Sequence, residues 1–200
     1  NPENFISSIL KENGYSTWYI GKSHFSAWAT DPANSREGWM GNWERNFTAF
    51  ETPYYGFDHV ELSMGHTSFG YCGHYGLWLK ERLEGRKPED LKRTARSQHR
   101  YGAEAYDWEM PVKLHNSTWV AERVIQALKQ AKVKNQPFFI VAGFQDPHHP
   151  HCLPLELARE LEVENIPCPH FQEGELDDKP PHFRLAYEGK IQYPSKGKFR

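Results

Sequence analysis

The sequence lacks the long apolar run that a membrane-spanning helix requires. No stretch of its 200 residues approaches the roughly 18 consecutive apolar residues of such a helix. It also lacks a basic stripe, because its 24 Lys and Arg are outweighed by 26 Asp and Glu and the formal net charge is −2. Proteins that bind nucleic acid or an acidic membrane surface concentrate positive charge. We therefore predict no membrane span and no nucleic-acid partner.

Cysteine is scarce as well. The three cysteines, Cys72, Cys152 and Cys168, are too few and too irregularly spaced for a disulfide framework or for C-x-x-C zinc ligands. The chain has neither an initiator methionine nor a secretory signal layout, and it opens directly on a helical pattern. We expect this chain to be a piece of a longer protein. Its apolar residues, 38% of the total, are enough for one hydrophobic core.

The most informative stretch is PFFIVAGFQDPHHPH, at residues 137–151. Residues 138–144 show no alternation of polar and apolar side chains, which predicts a strand in the middle of a parallel sheet, covered on both faces. Proline at 147 ends that strand, because it cannot donate to a ladder. In open α/β sheets, ligands bind just outside the carboxyl ends of the strands. His148, His149 and His151 follow the strand at such a position.

A second unit of the same kind lies near the amino end. Residues 2–13 have the apolar spacing of a helix, and residues 15–21 are rich in β-branched and aromatic residues, as in a strand. Lys22 and His24 follow the carboxyl end of that strand. A helix with cap residues at 116–118 precedes the later strand. Two helix-strand units predict an α/β fold, a mixed but mainly parallel sheet flanked by helices, with long loops.

The remaining segments are less regular. We predict a short strand near residues 57–62 and a short helix over 75–83. The charged, Arg-rich residues 84–108 indicate a solvated insertion. After His151 the chain is rich in proline, which indicates a loop over the rim of the site, with one short helix at 156–164.

Three segments, in order, resemble the sulfatases, the sulfuric ester hydrolases of the alkaline-phosphatase superfamily. The residues NGY, a strand and GKSH at 13–24 are similar to that family's GY-x-T-x-x-x-GK-x-H segment. YGFD at 55–58 fits its GFD, and PFF through DPHHP at 137–150 is similar to its PFF…F-x-DPH-x-P segment. Order and spacing agree over residues 3–155, and the proline-rich tail with DKPP at 178–181 looks like bacterial members.

The resemblance implies an alkaline-phosphatase-like fold in which residues 1–200 form the central part of one catalytic domain. It implies that Lys22 bridges the sulfate and a catalytic formylglycine, and that His24 hydrogen-bonds that formylglycine. His148 corresponds to the histidine that binds a sulfate oxygen near the leaving group. The implied substrate is a sulfated small molecule or glycan, and the implied location is the periplasm or the cell exterior.

Two parts of the family's machinery have no counterpart in these residues. The nucleophile is the Cys or Ser of C/S-x-P-S/A-R, modified to formylglycine, and the sequence contains no such motif. The acidic residues of the family's calcium site are likewise expected outside this segment, because calcium needs about six oxygen ligands. We therefore expect this chain alone to be inactive. We also expect it to pack against the remainder of its own catalytic domain.

Chemistry independent of the family supports the same reading. A sulfate monoester develops negative charge on its leaving oxygen, so fixed cations and N–H donors stabilise its transition state more than its ground state. A histidine that titrates near neutral pH can also move a proton. A related alternative is a phosphodiesterase or phosphonate hydrolase of the same superfamily, which would share these ligands with a different metal set.

An alternative of another class is a non-catalytic zinc-binding domain. His149 and His151 could join His148, Cys152 or His170 around zinc, although the spacing matches no closed structural site.

Other histidines are left open by the sequence. His115, just before a helix cap, is more often a structural or rim residue than a catalyst. His66 and His74 lie in Gly-rich and Tyr-rich sequence, where they either face substrate or decorate a loop.

Overall fold

The computed structural model describes residues 4–26, 36–37, 43–66, 71–96, 105–160, 165–167, 170 and 172–190. The chain divides into two compact units, Asn1–Leu161 and Glu162–Arg200. Among the described residues, no helix combines the length and apolar character needed to cross a membrane.

The first unit combines helices with two sheets. Its described helices are α1 (Ile6–Glu12), α2 (Trp43–Thr48), α3 (Gly73–Arg82), α4 (Asn116–Lys134) and α5 (Leu155–Ala158). Its described strands are β1 (Ser16–Gly21), β2 (His59–Met64), β3 (Arg93–Ala95), β4 (Ala105–Trp108), β5 (Phe138–Gly143) and β6 (His151–Pro154).

The main sheet is parallel, with the order β2-β1-β5. Both faces of β1 are buried: Trp18 and Ile20 join one apolar cluster with Trp119, and Tyr19 joins another with Phe57. Helices flank this sheet, with α4 packed against β1 and β5. The predicted fold class, an α/β fold with a mainly parallel sheet flanked by helices, is confirmed.

The prediction for β5 is correct in type and wrong in position. Among the described residues it pairs with β1 alone, at the edge of the sheet, and Phe138 is 47% exposed. The strand that lies in the middle is β1. The apolar run of β5 shows that both of its faces can be covered, but a run carries no information on which strands pair with it.

The solvated insertion predicted over residues 84–108 is right about exposure, since most side chains of residues 84–96 are exposed, but the prediction missed its strands. Within it, β3 pairs antiparallel with β4, and β4 pairs parallel with β6 to form a second sheet. Leu91 and Trp108 are buried in the same apolar cluster as Trp18. The many charged residues around Leu91 and Trp108 gave no sign that these two side chains are buried. The pairing of β4 with β6 had no local signal, because β6 follows only after α4 and β5.

The N-cap of helix α4 is His115, one residue before the predicted cap residues 116–118. The side chain of His115, not those at 116–118, accepts a hydrogen bond from the backbone N–H of Ser117, over 3.2 Å. At the other end Asn135 adopts a left-handed conformation with φ of 48°, which ends the helix before β5.

The second unit contains one described helix, α6 (Pro181–Tyr187), whose Arg184 pairs with Asp177. The helix predicted over 156–164 forms as α5, while residues 161–164, like Cys168, lie outside the described residues. That the proline-rich segment covers the rim of the site stays a prediction.

Candidate active site

The candidate site lies at the carboxyl ends of the three strands of the main sheet. In the parallel register, Gly21 at the end of β1 is opposite both Leu62 of β2 and Gly143 of β5. Lys22 therefore follows β1 at the same edge of the sheet at which β2 leads to His66 and β5 leads to His148. This is the edge at which α/β sheets bind ligands.

Lys22 is fixed by its own backbone. Its N–H donates to the carbonyl of Gly143 over 2.6 Å, and its carbonyl accepts from the Tyr19 hydroxyl over 2.8 Å. A Cβ on Gly21, where φ is 106°, would lie 2.0 Å from the Gly143 oxygen, and one on Gly143 would lie 2.4 Å from the Lys22 oxygen. Only glycine permits this approach. Partial burial lowers the pKa of the Lys22 ammonium.

The loop that carries His24 is held by one buried carboxylate. Glu37 is 4% exposed, and its Oε1 accepts from the backbone N–H of Phe25 over 2.8 Å and of Ser26 over 3.0 Å. The same oxygen accepts from the hydroxyls of Ser23 and Tyr54. Burial, and then the hydrogen bond to Glu37, raise the pKa of Tyr54 far above its usual value. Four donors thus fix the residues on both sides of the exposed His24.

The turn that carries His148 is held by a neutral network instead. Gln145 is 2% exposed, and its amide N–H group donates to the Ser63 hydroxyl over 2.8 Å and to the Ser63 carbonyl over 3.2 Å. Its carbonyl oxygen accepts from the Asn116 amide over 2.8 Å. Gln145 therefore ties together the end of β5, the end of β2 and the first turn of α4.

Asp146 is anchored to the same helix terminus. The Ser117 hydroxyl donates to its Oδ2 over 2.6 Å, and His115 Nε2 lies 4.0 Å from that oxygen. His115 is buried, and burial lowers its pKa while the nearby Asp146 carboxylate partly opposes this. His115 is accordingly a structural residue that caps α4 and faces the turn.

The contacts of the His148 ring fix its tautomer. Its Nδ1 lies 2.5 Å from the carbonyl oxygen of His149. A carbonyl can only accept, so Nδ1 carries the proton in this contact. The other nitrogen, Nε2, is then an acceptor in the neutral ring and becomes a donor only when the ring is protonated.

His66 packs on His148 and lies within electrostatic range of Lys22 and three other histidines. Its ring stacks on that of His148, with centroids 3.9 Å apart and planes 8° from parallel. Burial is the first cause that lowers the pKa of His66, to about 4, and the charges of Lys22, His148, His149 and His24 follow in that order. One half-buried imidazole therefore has four cationic or titratable neighbours.

Sequence reasoning named some of these residues and missed others. It named Lys22, His24 and His148, and the structure places all three on segments that leave one edge of the sheet. It left His66 open, and it gave no role to Glu37 or Gln145. The weak signal for Gln145 was an amide directly after an apolar run, whereas Glu37 lies in a stretch of sequence without any periodic pattern.

The zinc alternative gains no support. Within the part of the chain that the structure describes, no three His, Cys, Asp or Glu side chains are grouped so that they could hold a metal ion. His151 starts β6 in the second sheet, and Cys152 beside it is buried. The described residues do not fit a calcium site either.

The described cysteines are poorly suited to attack a substrate. Cys72 and Cys152 are both buried, and burial raises the pKa of the Cys72 thiol to about 11. A thiol of that pKa is almost entirely protonated near neutral pH, and only the thiolate is a good nucleophile.

Comparison with known proteins addresses the family directly. A protein-family profile described as Sulfatase matches residues 1–193. A curated protein of Formosa agariphila, named Sulfatase, is 38% identical over 63 residues, which is 32% of this chain and 11% of that protein. The profile match extends over nearly the whole chain, including the strand ends that carry Lys22, His24 and His148. This chain belongs to the sulfatase family.

Proposed function

We propose that the protein containing this chain hydrolyses sulfate esters, and that Lys22, His24 and His148 contact the sulfate group or the attacking nucleophile. The observation that supports this most is that the carboxyl ends of β1 and β5, which lead to Lys22 and His24 and to His148, lie side by side in the sheet of a member of the sulfatase family.

Each residue has a distinct task in this proposal. The Lys22 ammonium, whose backbone is fixed between Tyr19 and Gly143, neutralises charge on the sulfate oxygens. A protonated His148 donates from Nε2 to an oxygen near the leaving group. His24, on the loop that Glu37 fixes, hydrogen-bonds the nucleophile and moves a proton.

The nucleophile and the metal belong to other parts of the protein in this proposal. The family resemblance suggests a formylglycine made from Cys or Ser, and a calcium ion that would supply positive charge to the sulfate. The described residues fit neither group. The chain alone, as residues 1–200 of one catalytic domain, is proposed to be inactive.

The test is the rate at which the complete protein hydrolyses nitrophenyl sulfate and, in parallel, a nitrophenyl phosphodiester. We expect the sulfate ester to be cleaved faster, and Lys22→Ala, His24→Ala and His148→Ala each to lower kcat about 100-fold or more. His151→Asn, at an exposed position in β6, serves as the control and retains the wild-type rate.

Faster cleavage of the phosphodiester would favour the phosphodiesterase alternative. Wild-type rates in all three alanine variants would exclude the proposed roles, whatever the substrate.

A further inference from the structure

His115 is a buried titratable side chain to which the proposed function gives no task. It is 6% exposed, and its ring packs edge-on against that of Trp108, with centroids 5.9 Å apart and planes 75° from parallel. The backbone N–H of His115 donates to the carbonyl of Val112 over 3.1 Å. The Tyr75 hydroxyl holds the preceding residue, because it donates to the carbonyl of Leu114 over 2.7 Å. Both the ring and its backbone are therefore held in place.

The hydrogen bond at the start of α4 fixes the tautomer of His115. Its Nδ1 accepts from the backbone N–H of Ser117 over 3.2 Å, so Nδ1 carries no proton. Burial lowers the pKa of the ring, against the opposing effect of the Asp146 carboxylate, and the ring is therefore neutral near pH 7. The one proton of the neutral ring is on Nε2.

The Nε2–H group lies near a carboxylate. Within the described segments this nitrogen is buried and has no hydrogen-bond partner, and the Oδ2 of Asp146 lies 4.0 Å from it. That distance is too long for a hydrogen bond, but charges and dipoles attract more strongly in a buried site than in water. A buried donor that makes no hydrogen bond is costly and requires an explanation. Attraction to Asp146 supplies one.

Asp146 is the residue from which the turn that carries His148 begins. Its Oδ2 also accepts from the Ser117 hydroxyl over 2.6 Å. The backbone N–H of His148 donates to the carbonyl of Gln145, the residue before Asp146, over 3.0 Å. Because the Asp146 side chain is 37% exposed, water competes with Ser117 for its oxygens. A second donor group on the buried side therefore strengthens the anchor.

We propose that His115 is a positioning residue of the candidate site, which fixes the turn that carries His148 through the Nε2–H group beside Asp146. This task is separate from its capping of α4, which uses the other ring nitrogen. The inference rests on the proposed function, in which His148 contacts the sulfate group.

Two variants separate the tasks, because each keeps one contact of the ring. His115→Asn keeps a side-chain oxygen that can cap α4, since asparagine is among the best N-cap residues, but its side chain ends short of the position of Nε2. His115→Gln can place an amide N–H group near Asp146, but glutamine is not among the residues preferred at an N-cap.

The experiment compares kcat and KM of the complete protein for nitrophenyl sulfate with the melting temperature of the chain. For His115→Asn we expect a melting temperature within about 2 °C of the wild type. We expect its kcat to fall about tenfold with KM changed less than about twofold, because His148 acts where charge develops in the transition state. For His115→Gln we expect a melting temperature about 2–4 °C lower and a kcat within about threefold of the wild type. Wild-type kcat in His115→Asn would overturn the proposal, since capping would then be the only task of His115. Losses of kcat that follow the melting temperature in both variants would also overturn it.

Hydrogen exchange of the His148 backbone N–H tests the positioning without catalysis. We expect NMR to show exchange about tenfold faster in His115→Asn than in the wild-type chain, and nearly unchanged exchange in His115→Gln. His151→Asn makes the same chemical change as His115→Asn at an exposed position and is expected to alter neither exchange nor kcat. Unchanged exchange in His115→Asn would overturn the positioning role. Faster exchange, in a complete protein that cleaves no sulfate ester, would overturn the proposed function and leave the positioning role standing.

A variant with His115 intact covers the case in which His115→Asn fails to fold. Asp146→Asn removes the carboxylate that favours the protonated ring, so the NMR titration of His115 is expected to give a lower pKa than in the wild-type chain. An unchanged pKa would overturn the proposal, because His115 would then not interact with Asp146.

Discussion

The loop after β1 and the turn after β5 carry the candidate site residues, but different chemistry holds each of them. In the loop after β1, one buried carboxylate, Glu37, accepts from four donors. In the turn after β5, Gln145 links Ser63 and Asn116 through neutral hydrogen bonds.

The two regions differ in how many side chains hold them in place. A charged acceptor makes stronger hydrogen bonds than a neutral one, so a single side chain can hold the residues on both sides of His24. The neutral network spreads the same task over three elements, because it joins β2, β5 and the start of α4. It therefore also fixes the distance between the chain segments that lead to His66 and to His148.

Glu37→Ala should have the largest effect on folding. Two backbone N–H groups and two hydroxyls lose their common acceptor, and we expect the free energy of unfolding to fall by about 3–5 kcal/mol. Urea denaturation of the chain measures this. Glu51→Ala, at an exposed site, is the matched control and should change stability by less than about 0.5 kcal/mol. A loss of that small size for Glu37→Ala would show that the loop does not depend on the carboxylate.

Gln145→Leu should cost somewhat less. It removes three hydrogen bonds and leaves the amide of Asn116 and the hydroxyl of Ser63 without this partner, for an expected loss of about 2–3 kcal/mol. Gln130→Leu, on the exposed face of α4, is the control. In the complete protein, Gln145→Leu is also expected to lower kcat because it loosens His148. Equal stability of the two leucine variants would refute the network.

Gly143→Ala tests the contact between the two regions. Its Cβ would lie 2.4 Å from the carbonyl oxygen of Lys22, so β1 and β5 must separate at their ends. We expect a loss of about 1–3 kcal/mol in stability. We also expect a loss of about tenfold or more in kcat for the complete protein, because small displacements of catalytic groups are costly. Ala142→Ser, at the neighbouring exposed position, should affect neither quantity. A fully active Gly143→Ala protein would show that Lys22 does not need this approach.

The sequence predicted the local elements well, because their signals are local. The β-branched and aromatic run of β1 and the apolar spacing of α4 each specify one element, and the motifs placed Lys22, His24 and His148 at strand ends. Pairing and burial depend on distant residues instead. For that reason the edge position of β5 and the pairing of β4 with β6 could not be read from the chain. The same holds for Glu37, whose donors Phe25, Ser26 and Tyr54 lie on two separate segments.

The most direct test of the site is to locate an oxyanion in a crystal of the complete protein soaked with selenate, an analogue of sulfate whose selenium scatters anomalously. Our account predicts an anomalous peak within about 4 Å of both Lys22 Nζ and His148 Nε2, as hydrogen bonds to the oxygens of one tetrahedral anion require. A selenate ion bound elsewhere, with this edge of the sheet empty at saturating concentration, would contradict the account.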